Sequence, residues 1–139
     1  MTVAFIVVDA SVLFACLAKD GRARDVLMTT RANLVAPPAI IEEIESLLPK
    51  AAARAGVSVD IMAGVLAHLR GRIQVLSSAA YESKREEAQR LCRAADAWGD
   101  DEYVALALAL DAAIWTYDKD FQRIPGLRLA GTAEVDAQE

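Results

Sequence analysis

The first apolar run of the chain, TVAFIVV, shows no polar alternation and is followed at once by a carboxylate, Asp9. A short, continuous run of Val, Ile and Phe is the pattern of a strand buried on both faces, so Thr2 to Val8 is predicted as a strand of a parallel sheet with Asp9 at its carboxyl end. From Ser11 a helix is predicted up to Asp20-Gly21, where glycine supplies a stop, and a second helix over 22–31. A short strand at 33–36 precedes Pro37-Pro38, which opens a helix because proline is tolerated in a first turn; Pro49 interrupts or ends it. Residues 50–72 are predicted helical with a break at Gly56, 73–76 a strand, and 79–95 a charged amphipathic helix carrying Lys84, Arg85, Arg90 and Arg93. Asp100 or Asp101 starts the next helix, whose run YVALALAL is apolar on every side and therefore central. A strand at 113–116, a helical turn at 118–123 and a last short strand at 127–130 complete the pattern. The tail after Gly131 has no periodicity and is expected to fray. Short apolar strands alternating with helices define an α/β fold with a mainly parallel sheet covered on both faces.

Composition narrows the classes of function. The 139 residues match one domain, and 55% hydrophobic content is ample for a core. A net charge of −5 argues against indiscriminate nucleic-acid binding through a broad basic surface, though not against a local basic patch. Cys16 and Cys92 lie far apart without a CxxC pattern, which points to buried thiols in a reducing compartment rather than to a disulfide or a metal site. A secretory signal needs a basic start, whereas the first charge here is Asp9. That same residue divides the opening apolar run into pieces too short to cross a membrane. A soluble, cytoplasmic protein is the expectation.

The carboxylates carry the chemistry. Open α/β sheets place functional groups in the crevice outside the carboxyl ends of their strands, and there Asp9 follows the first strand and Asp118 follows the strand ending in IWT. Asp100 stands at a helix start, and either Glu42 or Glu43 lies in the first turns after Pro37-Pro38. On a helical wheel Glu43 edges the apolar stripe of Ile40, Ile41, Ile44, Leu47 and Leu48, and can face a cleft; Glu42 lies nearly opposite and faces water. Each acid has a plainer explanation: Asp100 as a helix cap, Asp118 as the cap of a turn, Glu43 as a solvated charge. Asp9 fits such explanations worst, because an unpaired carboxylate beside a buried strand costs several kcal/mol or loses its charge. No basic residue adjoins it in sequence. A tight acid cluster without basic partners suits a hard cation.

The segments VVDASVL, APPAIIEEI, GDDEYVALALAL and IWTYDKDF, in this order and at this spacing, resemble the PIN domain, the metal-dependent ribonuclease fold of VapC-type toxins from toxin–antitoxin pairs. The resemblance covers essentially the whole chain. It implies a PIN-like three-layer α/β/α architecture and four acids, carried here to Asp9, Glu43, Asp100 and Asp118, around one or two Mg²⁺ or Mn²⁺ ions. Asp9, Asp100 and Asp118 would be the metal ligands, with Ser11 and Thr116 as hydroxyls beside the site. The spacing within AADAWGDD leaves open whether Asp96 or Asp101 shares the role of Asp100. The resemblance further implies an RNA substrate, a homodimer and a cognate antitoxin whose tail lies along the groove. Steering of RNA would fall to Arg22, Arg24, Lys84, Arg85, Arg90 and Arg93.

Other features exclude rivals. A haloacid-dehalogenase-type phosphatase would show DxD where this chain has Ser11, and a receiver domain would need paired acids at its first strand and a later lysine. A stand-alone RNA-processing nuclease and a non-catalytic PIN-like module for RNA or protein remain as alternatives; presence of all four acids favours an enzyme. No glycine-rich phosphate loop occurs. His68 lacks an HxxxH or cysteine partner and is expected at the surface or an interface, and Trp98 and Trp115 are expected to pack, although Trp98, near Asp100, could instead stack on bases.

Overall fold

The computed structural model describes residues 4–18 and 21–138. Thr2 and Val3 of the first predicted strand, Asp20 of the expected helix stop and Glu139 of the tail lie outside the described residues. Five strands, β1 (Phe5–Val8), β2 (Asn33–Ala36), β3 (Ile73–Val75), β4 (Ala113–Trp115) and β5 (Leu129–Ala130), form one sheet in the order β3-β2-β1-β4-β5. Every pairing is parallel, with Val7 opposite Val35 on one side and Ile114 on the other. Val7, Val8, Val35, Ile114 and Trp115 are fully buried, which accounts for their unbroken apolar runs.

Helices α1 (Ala10–Ala18), α2 (Gly21–Thr29), α3 (Ala39–Ala55) and α4 (Val59–Arg70) link β1 to β2 and β2 to β3. They pack on one another around α1. Helices α5 (Arg85–Ala94) and α6 (Asp101–Leu110) carry the chain back across β1 to β4 and pack together. Right-handed crossovers in both directions from β1 put these two groups on opposite faces of the sheet. The order therefore reverses between β1 and β4, and a crevice opens beyond their carboxyl ends. In α6, Tyr103 through Ala107 are buried without a break, as a helix apolar on every side requires.

The structure departs from expectation in four places. Gly21 opens α2 rather than only ending α1. Pro49 neither ends nor interrupts α3, which continues to Ala55 and stops at Gly56 in a left-handed cap with φ 72°. The proline is exposed, and beyond it Ala51 and Ala52 are buried, so packing against the core holds the second half of the helix despite the lost N–H. Residues 78–84 form two 3₁₀ turns before α5 begins. The tail does not fray: α7 (Thr132–Asp136) inserts a fully buried Val135, whose carbonyl accepts from Thr30 Oγ1 at 2.8 Å. A single apolar residue in a short polar helix is too little periodicity to be seen in sequence.

Cys16 and Cys92 are buried and not joined in a disulfide, and burial, with Asp100 and Asp101 nearby, pushes Cys92 up to about 11. That environment makes it unreactive. His68 is exposed and Trp115 buried, as expected. Trp98 is not packed: it is 70% exposed, and its indole N–H donates to Asp96 Oδ1 at 2.5 Å. Among the described residues no single helix is long and apolar enough to cross a membrane.

Candidate metal centre

Asp9 lies directly after β1, where the end of the strand and the start of α1 leave it only 5% exposed. Two hydroxyls compensate that burial. Ser11 Oγ donates to Asp9 Oδ2 at 2.6 Å, and Thr116 Oγ1, just past β4, donates to the same oxygen at 2.7 Å. The hydroxyls are held in turn by backbone: Tyr117 N–H donates to Ser11 Oγ at 3.0 Å and Asp118 N–H to Thr116 Oγ1 at 2.9 Å. Oδ2 is thus committed to the protein, and Oδ1 has no hydrogen bond among the described residues. Such bonding fixes a carboxylate in one orientation while leaving one oxygen for a ligand.

Asp118 follows β4 and caps the 3₁₀ turn Lys119–Arg123, its Oδ1 accepting from Asp120 N–H at 2.9 Å. Asp100 stands at the N-cap position of α6, but its side chain makes no capping hydrogen bond. The capping explanation therefore loses its physical content. One oxygen each from Asp100, Asp118 and Asp120 lies within 4.8 Å of the others. Glu43 projects from the first turns of α3 and is half-buried, whereas Glu42 is exposed, in line with the wheel.

Electrostatics joins these groups into one site. Burial, then Asp118, Asp9, Asp120 and Glu43 in that order, push Asp100 up to about 7. Burial and then Asp9, with a smaller push from Glu102, raise Glu43 to about 7. Mutual repulsion of this kind requires the four acids to converge in the crevice. Among the described residues no Lys, Arg or His lies within salt-bridge distance of Asp9, Glu43, Asp100 or Asp118. At the rim, Arg123 Nη1 pairs with Asp120 Oδ1 at 3.1 Å, while its Nε and Nη2 donate to the carbonyls of Ala95 and Asp96.

Two residues of the site were not anticipated from sequence. Asp120 could have been found, since DKD at 118–120 places two acids two residues apart in a tight turn. Tyr103 had no such signal: it sits inside an apolar helix, yet its buried hydroxyl interacts with the Glu43 carboxylate, though outside regular hydrogen-bond geometry among the described residues. Burial and the surrounding carboxylates hold that phenol protonated far above neutrality. Neither alternative for sharing the place of Asp100 joins the group. Asp96 bonds the indole of Trp98, and Asp101 lines a side cavity with Gln89, Arg93 and Trp98.

The donor set consists of oxygen alone, and among the described residues Asp9, Asp100 and Asp118 have no cation within salt-bridge distance. It fits a hard divalent cation such as Mg²⁺ and not a thiophilic or imidazole-bound metal.

A doubly wound parallel sheet with acidic residues beyond the carboxyl ends of its central strands defines a protein of the α/β class. Residues 7–138 match the PIN domain model, and the chain belongs to the PIN domain family, whose members are generally nucleases. Solved structures agree on the fold. PAE2754 from Pyrobaculum aerophilum superposes with a TM-score of 0.69 at 18% identity, covering 96% of this chain and 87% of its own. DNA-bound VapBC from Salmonella typhimurium gives 0.70 at 16% identity, covering 94% and 99%. VapBC2 from Rickettsia felis, bound to a DNA fragment from its promoter, gives 0.66 at 14% identity, covering 91% and 98%. Among curated proteins none matches the sequence.

Proposed function

We propose that the chain is a metal-dependent endoribonuclease, the toxin of a toxin–antitoxin pair, acting in the cytoplasm with Mg²⁺ or Mn²⁺. The observation that carries the reading is the convergence of Asp9, Glu43, Asp100 and Asp118 from four distant segments without a counter-charge. Asp9, Asp100 and Asp118 would hold the cation, with Asp120 as a further ligand. When bound, it would lower the pKa of a coordinated water and neutralise charge developing on the phosphate.

The chain's own groups have separate parts. Ser11 and Thr116 orient Asp9 through Oδ2. Glu43, poised near neutrality, can exchange a proton with a water at the edge of the site, as a general base requires. The Tyr103 hydroxyl, held protonated beside Glu43, would help orient that carboxylate. The acids repel RNA, so cation and substrate would bind cooperatively.

An antitoxin and a homodimer belong to the same reading, supported by the fold's likeness to VapBC assemblies. A net acidic chain with an acidic crevice would attract a basic segment of that partner. The test is cleavage of RNA by the purified chain: fragments should accumulate with Mg²⁺ or Mn²⁺ and not in EDTA. Undiminished cleavage in chelator would refute the metal mechanism.

A further inference from the structure

Beside the acid site, a groove of about 470 Å³ runs between α1 and α3 and is lined by Ser11, Phe14, Leu47, Lys50, Arg54 and Tyr117, together with small alanines. Among the described residues no carboxylate lines it. Ser11 belongs to both regions: its Oγ bonds Asp9 on one side and receives Tyr117 N–H on the other. The groove is therefore continuous with the acid cluster.

Its cations are arranged unusually. Lys50 and Arg54 are one helical turn apart on α3, and both lie over the same ring, with Lys50 Nζ 5.8 Å and Arg54 Cζ 5.2 Å from the Phe14 centroid. Neither has a carboxylate within salt-bridge distance among the described residues. Like charges at this spacing repel one another, and a cation over an exposed ring gains little. An anion between them would relieve the repulsion. The half-exposed aromatic residues Phe14 and Tyr117 flank the path, and a groove pairing cations with aromatic faces suits a single strand, whose bases are free to stack.

We propose that this groove binds the sugar–phosphate backbone of single-stranded RNA on its way to the acid cluster, with Lys50 and Arg54 contacting phosphates. The proposal rests on the ribonuclease reading for its choice of RNA but makes a claim independent of cleavage. On an acidic chain, the groove supplies affinity for RNA without a metal.

The test is fluorescence anisotropy of a labelled single-stranded RNA oligonucleotide with the full chain in EDTA, across a range of salt concentrations. Each phosphate contact on a single strand contributes about 0.7 to the slope of log affinity against log salt. Lys50→Ala with Arg54→Ala should lower that slope by about 1.4 and weaken binding, with an unchanged melting temperature. Lys50→Arg with Arg54→Lys, which keeps both charges, should restore the slope, and Arg31→Ala with Arg70→Ala should leave it alone. An unchanged slope in the alanine pair overturns the proposal even if the chain cleaves RNA with Mg²⁺. Absence of RNA binding in EDTA, or binding of poly-glutamate through Lys50 and Arg54 in place of RNA, overturns it too. A lowered slope in a chain that never cleaves RNA would uphold the groove and refute the nuclease.

Discussion

The two ends of the sheet treat acidic residues in opposite ways. At the amino end of β4, Asp111 caps α6 in a left-handed conformation, and Arg128 holds both its carbonyl and, at 3.0 Å, its carboxylate. At the carboxyl end, Asp9, Glu43, Asp100 and Asp118 face one another, two of them with proton affinities raised to about 7. An acid placed for stability finds a donor or a cation close by. Acids kept together without a cation lower stability, and that cost makes sense where a ligand completes the arrangement.

The largest effects should come from removing charge at the carboxyl end. Asp9→Asn keeps shape and can still accept from Ser11 and Thr116, so the fold should survive; cleavage should fall by at least the 10–100-fold typical of disturbing a metal ligand's support. Asp118→Asn and Glu43→Gln should behave alike, measured as initial rates on a fixed RNA. Next come the hydroxyls: Ser11→Ala or Thr116→Val should each cost roughly 10–100-fold in metal affinity or rate by freeing Asp9 to rotate. Wild-type Mn²⁺ affinity in both would show that Asp9 needs no orientation.

A pH titration separates the two ends without mutation. Glu43 and Asp100 are raised to about 7 from ordinary values of 4.5 and 3.8. Between those limits the metal-free native state binds more protons than the unfolded chain, so stability falls as pH rises from about 4 to 7 and then levels off. Thermal melts in EDTA should show this decline. Excess Mg²⁺ should flatten it near neutrality, since cation binding displaces the same protons. A metal-free melting temperature that rises over the window would contradict the crowding of the acids. The smallest effects belong to the other end and to solvent-facing positions. Asp111→Ala should cost at most about 1 kcal/mol beyond any backbone strain, being an exposed pair, and Glu42→Gln should alter neither melting nor cleavage.

Much of this layout was legible in sequence because its causes are local or periodic. The unbroken run before Asp9 reports burial on both faces of β1, and the phase of the apolar stripe in α3 separates Glu43 from Glu42. What was illegible depends on tertiary partners. Pro49 stays helical because Ala51 and Ala52 beyond it are buried, and Val135 docks α7 through a single side chain. Asp120 joins the acids only through the tight turn after β4, and the Tyr103 hydroxyl is turned into the site by the placement of α6. Lys50 and Arg54 become neighbours of the site only when α3 lies along α1.

Asp100 offers the most direct test, because it is where a structural and a functional carboxylate make opposite demands. Asparagine caps a helix about as well as aspartate, and here the side chain makes no capping bond to lose. Wild type and Asp100→Asn should be compared for RNA cleavage in Mg²⁺, with melting temperatures recorded in EDTA. The account predicts a variant at least as stable as wild type whose cleavage falls by two orders of magnitude or more, about 10²-fold being the scale of lost metal support. Wild-type cleavage by a stably folded Asp100→Asn would contradict it.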